Sequence, residues 1–165
     1  MTTGTGSQIH DDTVSLLHVE RAISERKGAL IIQLQKLADD YQIGKVIERA
    51  PLKNVLAVAT EAGADPEEVA NFVRYQLGRS TRNEIWVRRS EKRRQSFFAE
   101  DLVKELEELS GPATEIASRV RGSGDAEAIA PIHIKLIQLY LGYLGRYHTY
   151  LKWDEERRKT QGGSR

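Results

Sequence analysis

Between Pro131 and Arg158 apolar residues recur at helical intervals, in two parallel stripes. Ile134, Ile137, Leu141, Leu144 and Leu151 form one; Tyr140, Tyr143, Tyr147 and Tyr150 form the other. Side chains three and four residues apart share a helix face. The pattern therefore predicts one long helix whose apolar face is wider than the roughly 100° stripe of an ordinary surface helix. Such a helix has to be covered broadly, so it belongs at the centre of the fold, at a subunit interface, or at both. Gly142 and Gly145 remove side chains beside the stripes, and the expectation is that another backbone approaches there.

The rest of the chain reads as helix too, because β-branched residues do not alternate and no Asn-Gly hairpin dipeptide occurs. Leu16, Leu17, Ala22, Ile23, Leu30, Leu34 and Leu37 predict a helix from about Thr13 to Tyr41, with breaks at Gly28 and Gly44. Pro51 opens a short helix that stops at Gly63. Asp65-Pro66-Glu67-Glu68 combines a capping carboxylate, a first-turn proline and two acids near the positive end of the helix dipole. It starts a helix burying Val69, Phe72, Val73 and Leu77 and ending at Gly78. Ser80-Thr81 is read as capping a further helix from about Asn83 to Leu109, broken by Ser110-Gly111-Pro112 and followed by a short helix. Arg121-Gly122-Ser123-Gly124 is read as a loop. The expected fold class is all-α, a compact helical bundle of about five to six helices. Residues 11–159 would form the single helical domain, with residues 1–10 and 160–165 as disordered ends.

Charge is abundant but unevenly placed. The net charge is only +1, yet Arg74 to Arg94 holds eight basic residues against two acidic ones. Ser96 to Glu115 holds six acidic residues against one basic one. Opposed blocks of this kind give a surface with separate positive and negative faces. The 165 residues include no cysteine, which excludes disulfides, thiolate metal sites and a cysteine nucleophile. Apolar runs fall well short of the roughly 20 residues of a membrane span. Residues 1–10 show neither the basic start nor the apolar run of a signal peptide. The expectation is a cytoplasmic protein with no membrane partner.

Motifs for catalysis are not found. His10, His18, His133 and His148 do not fall at a recognised metal spacing such as H-E-x-x-H. The glycines near Gly122 lack the strand and lysine of a phosphate loop, and no G-x-S-x-G elbow occurs. The expectation is no enzyme activity, no cofactor and no metal. The basic stretch permits two readings. Arginine's planar fork suits phosphate, but the same block also suits pairing with the acidic half of its own or a neighbouring chain. Tyr140, Tyr143, Tyr147 and Tyr150 are likewise read as packing or interface residues, with base stacking as the sharper alternative.

The segments Leu52-Lys53-Asn54-Val55-Leu56, Asn71-Phe72-Val73-Arg74-Tyr75-Gln76-Leu77-Gly78-Arg79 and Leu139 to Lys152 together resemble the small subunit of type III-A CRISPR effector complexes. That family has an apolar-Arg-Asn-apolar-Leu helix, a helix ending in Tyr-Gln-small-Gly-Arg, and a closing tyrosine-rich helix. The likeness covers mainly residues 51–79 and 132–152. Lys53 stands where the family has arginine, and the first 45 residues and the stretch after Ser96 have no clear counterpart.

The resemblance implies a non-catalytic helical subunit of an RNA-targeting ribonucleoprotein in antiviral defence. Its partners would be guide RNA and target RNA, the other CRISPR effector subunits, and copies of itself stacked head to tail. Lys53, Arg74 and Arg79 match the family's RNA-facing positions, and Arg82, Arg88 and Arg89 follow on charge. Tyr140, Tyr143, Arg146, Tyr147 and Tyr150 are the expected subunit interface. The alternative is a helical protein–protein adaptor without RNA binding, its basic stretch matched by its own acids.

Overall fold

A computed structural model describes residues 5–93, 95–122 and 124–162, with side chains from residue 11 onward. Among the described residues there are six α-helices and no multi-residue strand: α1 (Thr5–Asp40), α2 (Ala50–Thr60), α3 (Pro66–Arg79), α4 (Phe98–Glu108), α5 (Ser110–Arg121) and α6 (Ala126–Gly162). The fold is all-α. Disordered ends were expected at 1–10 and 160–165; the described backbone is helical from Thr5 and as far as Gly162. Residues 1–4, Arg94, Ser123 and 163–165 lie outside the described residues.

α1 and α6 are the long elements, with 36 and 37 residues. At 1.5 Å per residue each spans about 55 Å. They pack on each other, α5 covers both, and α2 lies on α6. α3 rests on α2 and α4, so α3 and α4 form a second layer. One continuous core links them. Its largest fully buried side chains are Trp86, Tyr41, Tyr140 and Phe98. The Tyr41 and Phe98 rings meet edge to face at 5.6 Å. No described helix is long and apolar enough to cross a membrane.

Local chemistry explains most helix ends. Pro51 lies in the first turn of α2, where its missing N–H costs nothing. Asp65 caps α3, accepting from the Glu67 N–H at 2.8 Å. The Glu100 carboxylate accepts from the Phe97 N–H at the start of α4, at 2.7 Å. α5 stops at Gly122, whose φ of +65° a side chain would strain. α6 starts at Ala126, where Asp125 accepts from the Ala128 N–H; Pro131 is carried near that end.

Three expectations change. Gly28 does not break α1, which runs straight through it; the packing of α1 outweighs the local cost of one glycine. Gly44 does mark a break, a 3₁₀ turn at Ile43–Lys45, and it is required there. A Cβ on Gly44 would lie 2.7 Å from the Leu151 Cβ. By contrast, Gly142 and Gly145 have open space where a Cβ would project, and among the described residues no backbone of another element comes within 4 Å of it.

The third change is the largest. The helix expected over 83–109 begins only at Phe98, and the described residues of 80–97 form an irregular segment with a 3₁₀ turn at Ile85–Val87. The reason is visible in the pattern. Ile85 and Trp86 are buried, but residues 88–96 contain no apolar side chain, so a helix there would have no face to bury. An isolated antiparallel bridge between Arg89 and Phe97 closes the segment instead, with the Phe98 N–H donating to the Arg88 carbonyl at 2.9 Å.

Candidate nucleic-acid interface

The 80–97 segment is held by charge. Arg93 Nε lies 3.1 Å from Asp40 Oδ2, and its Nη1 lies 3.1 Å from Asp101 Oδ2 and 3.8 Å from Glu105 Oε1. Lys92 adds a contact to Asp40 at 3.1 Å, and the Tyr41 hydroxyl donates to Asp101 at 2.7 Å. The Tyr140 hydroxyl donates to Glu105. Burial opposes the charge on Asp40, but the hydrogen bonds from Lys92 and Arg93 outweigh it and hold the carboxyl below its ordinary value. For Glu105 burial wins and raises the pKa, and burial likewise raises Tyr41 and Tyr140 above the ordinary phenol value. The cluster ties the segment to α1, α4 and α6.

So anchored, the segment faces the 45–48 stretch across a cleft of about 490 Å³. Lys45, Arg82, Arg88 and Arg89 line it, against two carboxylates, Glu48 and Glu84. Glu84 accepts from the hydroxyls of Ser80 and Thr81, at 2.8 and 3.1 Å, and the Ser80 bond is the main cause of its lowered pKa. Arg88 is positioned by its Nε, which donates to the Tyr41 carbonyl at 2.9 Å. The Arg89 guanidinium lies 4.3 Å from the centre of the Phe97 ring. Among the described residues, no carboxylate forms an ion pair with Arg82, Arg88 or Arg89.

A second basic groove opens beside it, where Arg49 continues the same stretch into α2. Arg49, Lys53 and Arg146 surround Leu52, Leu56, Gly142 and Gly145, enclosing about 330 Å³. The glycines expected to admit a backbone thus shape an open groove.

The expected RNA-facing residues therefore divide. Arg82, Arg88 and Arg89 come together in the first cleft, and Lys53 joins Arg146 in the second groove. Arg79 donates through Nε to Gln76 and lies 5.6 Å from the Tyr75 ring, on exposed surface. Arg74 stands apart from them: its guanidinium pairs with Glu107 of α4 and lies 3.9 Å from Glu67, so its charge is matched within the chain. One continuous strip around a single helix junction is not formed. The acidic block is largely taken up internally, since Asp101 and Glu105 hold Arg93, Glu107 holds Arg74 and Glu115 holds Arg26.

The tyrosines divide as well. Tyr140 is a core residue, wholly buried, and its place in a subunit interface is corrected on that ground. Tyr147 is partly buried and donates to Asp39 at 2.9 Å; burial first, then that carboxylate, push its pKa up to about 12. Tyr143 is partly buried, with the Arg146 guanidinium 5.6 Å from its ring centre. Tyr150 is exposed and stacks on Tyr147 at 5.9 Å.

Sequence reasoning missed Lys45 and Arg49, which stand in a connection rather than on a periodic face. It also missed Trp153, although Trp153 continues the tyrosine spacing by three residues. The histidines have structural surroundings: His133 Nε2 lies 2.8 Å from the Leu106 carbonyl, and His148 Nε2 lies 3.0 Å from that of Val46. Among the described residues, no cluster of three or more His, Asp or Glu could hold a metal ion. No protein-family model, curated protein or solved structure matches the chain.

Proposed function

We propose that this chain is the non-catalytic small subunit of a type III CRISPR ribonucleoprotein, gripping the backbone of the guide–target RNA duplex and supporting assembly with the larger subunits. The observation that carries the reading is the cleft of Lys45, Arg82, Arg88 and Arg89, whose three arginines have no carboxylate partner among the described residues. Guanidinium groups placed without carboxylate partners suit phosphate oxygens. Backbone contact rather than base readout is how a helical RNA duplex is generally held. The motif likeness at Tyr75 to Arg79 and Leu139 to Lys152 supports the same reading. Assembly with other subunits and with further copies is supported by apolar surface that the chain leaves exposed at Leu16, Leu17, Ile32 and Tyr75.

The test is binding of a labelled guide–target RNA duplex across a salt series. The protein should bind with an affinity that falls steeply as salt rises, and the Arg82/Arg88/Arg89 triple alanine variant should bind weakly at every salt. Equal binding by the folded variant refutes the reading. A helical protein–protein adaptor is the second reading, favoured by the internal pairing of Arg74 with Glu107. It predicts no salt-sensitive affinity for RNA at all.

A further inference from the structure

The exposed side of α6 carries a row that the duplex reading does not use. Arg146, Tyr150, Trp153 and Arg157 follow one another at intervals of four, three and four residues, which places them on one helix face. Tyr150 and Trp153 are 51% and 54% exposed, far more than aromatic side chains that serve only to fill a core. The rings form a continuous series. Tyr147 stacks on Tyr150 at 5.9 Å, and Tyr150 meets Trp153 at 6.0 Å with 33° between the planes. The Arg157 guanidinium closes the row 4.8 Å from the Trp153 ring centre.

Beside this row lies the groove of Arg49, Lys53 and Arg146, floored by Gly142 and Gly145. Among the described residues none of these three cations has a carboxylate partner. Glu48 precedes Arg49 and is exposed, and the acids along the row itself are Asp154, Glu155 and Glu156. Asp154 is matched by Arg157 at 2.7 Å and Arg158 at 2.8 Å, Glu155 is half-buried and Glu156 is exposed.

We infer that this face of α6 is a stacking platform for the unpaired bases of single-stranded RNA, with the phosphates following Arg49, Lys53 and Arg146. Exposed rings with a groove of unmatched cations along one side are what a single strand needs: π-faces for its bases and positive charge for its backbone. Duplex bases already stack on one another and have no free face to offer, so the platform discriminates between the two forms. An acidic protein surface would satisfy the cations but would leave the ring faces without a matching flat group. The inference rests on the reading of the chain as an RNA binder, but it uses a different surface from the arginine cleft.

The experiment compares a short oligouridylate with an abasic strand of equal length, which keeps the phosphates and removes the bases. Wild-type protein should bind the oligouridylate more tightly and lose tryptophan fluorescence as it does so. Trp153 is exposed and Trp86 buried, so quenching reports on the platform. The Tyr150→Ala/Trp153→Ala double variant should lose about tenfold or more in affinity for oligouridylate. Its weak residual affinity for the abasic strand should be unchanged. Arg146→Ala should weaken both. A melting curve establishes that the double variant folds.

Equal wild-type affinity for the two strands, or an unaltered affinity in the double variant, overturns the inference. Loss of self-association without loss of RNA affinity also overturns it and makes the face a protein interface. If the arginine cleft binds duplex as proposed while the platform variant behaves as wild type, this inference fails alone. If neither surface responds to RNA, the parent reading fails with it.

Discussion

Arg93 and Asp101 lie 3.1 Å apart, and through that contact a segment with no helical face of its own is fastened to the first turn of α4. The side chain of Arg93 is 27% exposed, against 8% for Asp40, 15% for Asp101 and 10% for Glu105. Removing Arg93 leaves Asp101 and Glu105 without their ion-pair partner and Asp40 with Lys92 alone. Arg93→Ala is therefore expected to destabilise the protein by about 3 kcal/mol, measured by urea unfolding. Arg93→Lys should recover part of the loss, because lysine restores the charge without the fork.

Two glycines should respond to alanine with opposite signs. At Gly44 a Cβ would meet Leu151 at 2.7 Å and its backbone at 3.1 Å. Gly44→Ala should cost about 1–3 kcal/mol through displaced packing. At Gly28 there is open space in the middle of a continuous helix. Gly28→Ala should stabilise by about 0.5–1 kcal/mol. Parallel thermal melts check both.

The arginines should separate by their salt dependence. If Arg88 meets a phosphate, Arg88→Ala lowers the slope of log affinity against log salt by about one. Arg74→Ala should leave that slope unchanged, because Arg74 is matched by Glu107 in the free protein. A duplex titration at several salt concentrations decides between them. An equal change in both slopes would mean that the Arg74–Glu107 pair opens on binding.

His148 should make stability depend on acidity. Burial holds its pKa below the ordinary 6.5. The folded ring stays neutral while the unfolded one takes up a proton, so the unfolded state binds more protons as pH drops below 6.5. Stability is then fully present above 6.5 and is lost as pH falls toward the depressed folded value. His148→Gln should flatten that part of the profile, as read from unfolding free energies between pH 7 and 5.

The helices were legible wherever side chains carried the signal locally. Asp65-Pro66-Glu67-Glu68 marks the start of α3 in the sequence and in the structure alike. Leu34, Leu37 and Leu144 are buried as their spacing requires. The missing apolar face over 88–96 spoke against a helix, but the shape taken there instead was not legible, because it depends on Arg93 meeting Asp40, 53 residues away. No local pattern encodes a partnership at that range. The tyrosines were half legible: spacing placed all four on one side of α6, but only Tyr140 is wholly enclosed while Tyr150 is open. A wide apolar face has edges as well as a centre, and periodicity alone does not say where neighbouring helices stop covering it.

The attachment of Arg93 to both Asp40 and Asp101 also makes the shape of the cleft a long-range property. An unfolded chain carries the same guanidinium groups without that arrangement. The cationic geometry therefore belongs to the packed molecule and not to its composition.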